Sequence, residues 1–123
     1  MKYALLIYSE PGAIDRPPKP VHDGIIDNWA DYTVAMKDSG AILGAEQLRP
    51  ADTATTVTAG PDERLLTDGP FMETKEHLLG FYLLDVPDLD TALDWAARMP
   101  IMRYGTVEVR PVVEGAEWQK ALD

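Results

Sequence analysis

Between Lys2 and Tyr8 the chain is apolar at both odd and even positions, which predicts a strand covered on its two faces rather than on one. The same pattern returns, longer and stronger, from Leu78 to Val86. Elsewhere the period changes. From Asp23 to Ser39 the apolar residues Ile25, Trp29, Tyr32 or Thr33, and Met36 recur every three or four positions, so this segment reads as a helix, with Asp23 as N-cap and Gly40 as its stop. A second helix follows Pro87-Asp88, with Leu89, Ala92 or Leu93, Ala96 and Met99 as its inner stripe and Pro100 ending it. Ala41 to Leu48 reads as another strand, and Thr106 to Arg110 alternates Val107 and Val109 with polar residues as a last one. Thr53 to Thr58 and Arg64 to Thr67, joined by Gly60-Pro61-Asp62, read as a small hairpin. The Pro- and Gly-rich stretch Ser9 to Pro20 is expected to be loop, and the tail from Glu114 to Asp123 carries Trp118, which is expected to pack against another surface.

The resulting order is β-α-β, an inserted hairpin, then β-α-β: an α+β, ferredoxin-like βαββαβ arrangement. Two helices cover one face of a four-stranded sheet. Strands that are apolar on both faces therefore call for a second cover on the other, and a homodimer packed sheet to sheet supplies it.

Composition narrows the function. A chain of 123 residues, 46% hydrophobic and without low-complexity tracts, is expected to form a single domain over residues 1–123. Acidic residues outnumber basic ones 21 to 11, for a formal charge of −10, and no basic stripe offsets this, so no nucleic acid is expected as partner. The chain has no cysteine, which removes disulfides, thiolate catalysis and thiolate metal sites, and fits a cytoplasmic location. The apolar N-terminal run is half the roughly 20 residues a membrane helix needs, so no membrane association is expected.

Candidate chemistry concentrates between Asp68 and Glu76. Asp68-Gly69-Pro70 is a turn signal, but a turn alone does not call for Thr74-Lys75-Glu76 just before the most apolar strand. In a half-buried cleft, Lys75 would hold a carboxylate ionised, while Asp68 or Glu76 moved protons and Thr74 and Lys75 held a ligand. His22 is a further acid–base candidate, since histidine is the side chain that ordinarily titrates near neutral pH. Glu46 is a charged residue inside an apolar strand, and is expected either to titrate in a cavity, or to pair with Arg49 or lie at a strand end. Trp29 and Tyr82, with Tyr32 and Phe81, suit an aromatic or lipophilic ligand or else simply the core. Two scattered histidines give no zinc spacing, and no phosphate loop or dinucleotide fingerprint is present, so neither metal nor cofactor is expected.

The block Asp68-Gly69-Pro70-Phe71 with Thr74-Lys75-Glu76 resembles the signature of the DGPF branch of the YCII-related proteins. Lys2 to Tyr8, Gly40 to Leu48, Ala54 to Val57, Asp88 to Arg98 and Val107 to Pro111 are similar to that family too, so the resemblance spans nearly the whole chain. It implies a dimeric α+β barrel with a cavity between the helix-free sheet faces, near the signature loop. It is compatible with a small cofactor-independent enzyme doing acid–base chemistry on a small organic molecule, aromatic compounds among the options, in the dimer cavity. The alternative is a non-catalytic ligand-sensing or partner-binding module, linked to extracytoplasmic-function sigma factor regulation.

Overall fold

The computed structural model describes residues 1–123. Six strands and two helices follow in the order β1 (Lys2–Ser9), α1 (Trp29–Asp38), β2 (Ile42–Gln47), β3 (Thr55–Ala59), β4 (Arg64–Asp68), β5 (His77–Asp85), α2 (Leu89–Ala97) and β6 (Gly105–Pro111). Four strands form one antiparallel sheet in the order β2-β5-β1-β6. β5 lies between β1 and β2, which is the split βαβ connection of a ferredoxin-like fold. β3 and β4 pair only with each other, as the inserted hairpin.

Strict alternation sorts β1 into two faces. Tyr3, Leu5 and Ile7 are buried, whereas Ala4, Leu6 and Tyr8 are only half-buried. Register extends the division across the sheet. Leu5 pairs with Tyr82 and Val109, and Tyr3 with Leu84, so these residues share the buried face. Tyr32 and Met36 of α1, and Ala92, Trp95, Ala96 and Met99 around α2, close that face into one apolar cluster. Its centre is an edge-to-face aromatic set: Tyr32 meets Tyr82 at 5.4 Å and Trp95 at 5.8 Å. The Tyr32 hydroxyl donates to the Trp95 carbonyl at 2.7 Å. Burial, and Tyr82 beside it, push the Tyr32 phenol well above its ordinary pKa. The register also requires Gly80: a Cβ there would stand 2.4 Å from the Glu46 carbonyl on β2.

Both helices are shifted from the sequence expectation. α1 begins at Trp29, not near Asp23, because the Asn28 side chain accepts from the amides of Ala30 at 2.7 Å and Asp31 at 3.1 Å. Ile25 and Ile26 carry the apolar period backwards without being helical; the Ile26 amide is held by the Arg98 carbonyl at 2.9 Å. In α2 the buried flank is Trp95, while Leu89 and Leu93 are 47% and 44% exposed. A stripe through Ala92, Trp95, Ala96 and Met99 sets the large indole between two small residues, and the two leucines turn outward. Asp88 caps this helix through the amide and hydroxyl of Thr91, and those bonds hold its carboxyl below the usual range. The stretch after β1 holds a short 3-10 turn at Ala13–Asp15 rather than loop throughout. Trp118 lies in a C-terminal 3-10 segment and is 66% exposed on the single subunit. No helix is long and apolar enough to cross a membrane.

Candidate functional site

The signature loop is anchored at Gly69 to the start of the hairpin. The Gly69 amide donates to the Ala54 carbonyl at 2.7 Å, and the Thr56 hydroxyl donates to the Gly69 carbonyl at 2.8 Å, which ties the exit of the hairpin. Gly69 takes a φ of 99°, a left-handed conformation that favours glycine. Asp68, opposite Thr55 in the hairpin, is exposed at the start of this turn. The Thr74 hydroxyl donates to the Glu76 carbonyl, a local turn that directs the chain into β5.

Lys75 finds a carboxylate, but not in its own loop. Its ammonium pairs with Glu10 at 3.1 Å, and Glu10 pairs with Arg16 at 3.1 Å. The Lys75 hydrogen bond, then that of Arg16, hold the Glu10 carboxyl below the usual carboxylate range. The signature loop is thus tethered to the segment after β1. Glu10 carries no local sequence signal for this role, because its partner is brought to it only by the pairing of Ser9 with His77.

Beneath the loop runs an open groove of about 660 Å³. Tyr8 and Leu78 contribute its sheet side, Phe71 and Met72 its loop side, and Thr74, Glu76, His77 and Arg49 its polar groups. Glu76 is half-buried, and the Thr106 hydroxyl donates to its carboxylate at 3.3 Å. Thr106 pairs with Tyr8, so this carboxylate reaches over the helix-free face. His77 lines the same groove; Glu76 precedes β5, so strand alternation does not send the two side chains to opposite faces. Of the residues proposed for proton chemistry, only Glu76 belongs to this groove. His22 is exposed, seven residues before the start of α1, with its Nδ1 2.7 Å from the Asp23 carbonyl oxygen.

The aromatic candidates lie elsewhere. Trp29 and Tyr82 line a cleft of about 360 Å³ on the helix side of the sheet, with Ile7, Ile14, Leu79 and Ile101. Glu46 borders that cleft on edge strand β2 and is exposed, not buried, and it forms no ion pair with Arg49. Thr74 and Glu76 therefore line one concavity and Trp29, Glu46 and Tyr82 another, while Asp68, Lys75 and His22 line neither. No three histidine, aspartate or glutamate side chains gather in a metal-binding arrangement.

An antiparallel sheet of order β2-β5-β1-β6, with both helices on one face and a tethered loop over its end, defines a ferredoxin-like α+β protein. The model of the YCII-related domain matches residues 1–118, and the chain belongs to that family. An uncharacterised protein of Rhizobium meliloti (strain 1021) is 33% identical over 114 residues, covering 91% of this chain and 92% of the relative.

Proposed function

We propose that this protein is a cytoplasmic homodimer whose helix-free sheet faces meet, and that it performs acid–base chemistry on a small aromatic molecule held in the groove beneath the signature loop. The observation that carries the reading is the place of Glu76: a half-buried carboxylate in a groove that also holds an imidazole, a phenol and a guanidinium. In this reading Glu76 takes a proton from the bound molecule and returns it to another atom of the same molecule. Arg49 faces the negative charge that develops, and His77 exchanges protons with solvent. A second copy over Leu6, Tyr8, Phe81 and Leu83 would roof the groove and lower its water content, which strengthens each of these interactions. Thr74 and Lys75 serve as positioning residues, through the turn at Glu76 and the tether to Glu10.

A second reading is ligand sensing without turnover, linked to sigma factor regulation. It is favoured by the separation of Asp68 and His22 from Glu76, which leaves one candidate carboxylate rather than an assembled pair. Thermal stabilisation by a panel of phenols and aromatic acids, with product analysis at several pH values, separates the two. Catalysis predicts stabilisation of wild type and Glu76→Gln alike, with product formed by wild type alone. Stabilisation of both without product in either supports sensing. A panel that stabilises neither contradicts both readings.

A further inference from the structure

The cleft on the helix side of the sheet is not used by the groove chemistry, yet it is built unlike ordinary core. Trp29 opens α1 and is 41% exposed, although an apolar cavity adjoins it. Its indole lies parallel to the Tyr82 ring, with an interplanar angle of 4° and centroids 6.4 Å apart. The other aromatic contacts in this region, Trp29–Tyr32, Tyr32–Tyr82 and Tyr32–Trp95, are all edge-to-face. Two parallel π-faces beside an apolar cavity match a flat ring better than a branched aliphatic chain.

The polar side of the cleft is set by counting protons. The Thr33 hydroxyl has one hydrogen, which it donates to the Trp29 carbonyl at 2.9 Å. The contact of 2.6 Å between Thr33 Oγ1 and the Tyr82 hydroxyl must then have Tyr82 as donor. The Tyr82 hydrogen is thereby committed, and its oxygen retains only acceptor capacity. A ligand that completes this oxygen brings its own O–H or N–H. Glu46 at the edge, on a chain of formal charge −10, disfavours an anion.

We propose that this cleft is a second small-molecule site, which takes a neutral flat aromatic molecule carrying a hydrogen-bond donor, of the phenol type, against Trp29 and Tyr82. It is independent of the groove, because it lies on the other face of the sheet and shares no lining residue with it.

The test is a titration of the intact protein with p-cresol, toluene and benzoate, followed through amide and indole resonances. The expected result is saturable binding of p-cresol with shifts at the Trp29 indole, Ile14 and Ile101, weaker binding of toluene, and none of benzoate. Trp29→Ala, at an exposed position, should weaken p-cresol about tenfold or more, as loss of an aromatic anchor does. Ala45→Leu places bulk in the cleft from β2 and should abolish binding with the melting temperature kept. Tyr82→Phe should weaken p-cresol about fivefold and leave toluene unchanged, the scale of one hydrogen bond. Glu76→Gln should change none of these, which separates failure of this site from failure of the groove. Shifts confined to Tyr8, His77 and Leu78, equal binding of benzoate, or p-cresol affinity indifferent to both Trp29→Ala and Ala45→Leu would overturn the proposal.

Discussion

The two faces of β1 and β5 are made of the same kinds of residue and differ in what covers them. On one face Leu5, Tyr32, Met36, Leu84 and Met99 are fully enclosed, and no buried side-chain nitrogen or oxygen lacks a partner. On the other, Leu6, Tyr8, Phe81 and Leu83 are only half-buried, and the adjoining hairpin and loop leave Val57, Leu65, Leu66, Phe71 and Met72 between 50% and 77% exposed. Burying an aliphatic or aromatic side chain contributes about 1.5–3 kcal/mol, so a face of this composition is a reservoir of association energy. The first face carries the stability of the subunit. In our reading the second carries its assembly and its chemistry.

Substitution at Phe81 should break the comparison most strongly. Phe81→Glu puts an unpaired carboxylate into the proposed interface and should raise the dissociation constant of the dimer by about a thousandfold, roughly 4 kcal/mol, while the far-ultraviolet circular dichroism spectrum keeps its shape. The adjacent pair Leu83 and Leu84 sharpens it. Leu84→Ala opens a cavity between sheet and helices and should cost about 3 kcal/mol of unfolding free energy at any protein concentration. Leu83→Ala should act through the dimer, so that its denaturation midpoint depends on protein concentration. Equal, concentration-independent losses at both positions would erase the distinction between the faces.

The sheet, the hairpin and the existence of both helices were legible because each rests on a local pattern: unbroken apolar runs at Lys2–Tyr8 and Leu78–Val86, and threefold and fourfold spacing around Tyr32 and Ala92. What was not legible depended on tertiary partners. The period through Ile25 placed the start of α1 too early, because Ile26 is held half-buried against the core by its amide bond to the Arg98 carbonyl and not by helical geometry. Trp95 displaced Leu89 and Leu93 from the core because it packs on Tyr32, from the other helix. Glu76 was found from its place beside a buried strand, and Trp29 and Tyr82 from their ring type. Their separation onto two faces follows from register, and the Glu10 tether from a strand pairing; neither is written in composition.

A smaller effect tests a polar contact inside the helix-side core. Tyr32→Phe removes the hydroxyl donor from the Trp95 carbonyl, which keeps only the 3.3 Å bond from the Arg98 amide, and should cost about 1–2 kcal/mol, measured by urea denaturation, on the helix side alone. The Lys75–Glu10–Arg16 tether is exposed and should matter least. The Glu10 carboxyl titrates lower in the folded than in the unfolded chain, so its contribution is present above the ordinary carboxylate range and is lost as pH falls through the depressed value. Protection of the amides in residues 71–76, taken relative to the intrinsic exchange rate at each pH, should therefore fall on acidification in wild type, and should already be lower in Glu10→Gln at neutral pH.

Sedimentation equilibrium of the wild-type chain at micromolar concentration tests the central claim most directly. The account predicts a species of twice the subunit mass, which Phe81→Glu converts to the single subunit. A wild-type chain that sediments as one subunit, with the amides of β1 and β5 protected to the same degree as in Phe81→Glu, would contradict it.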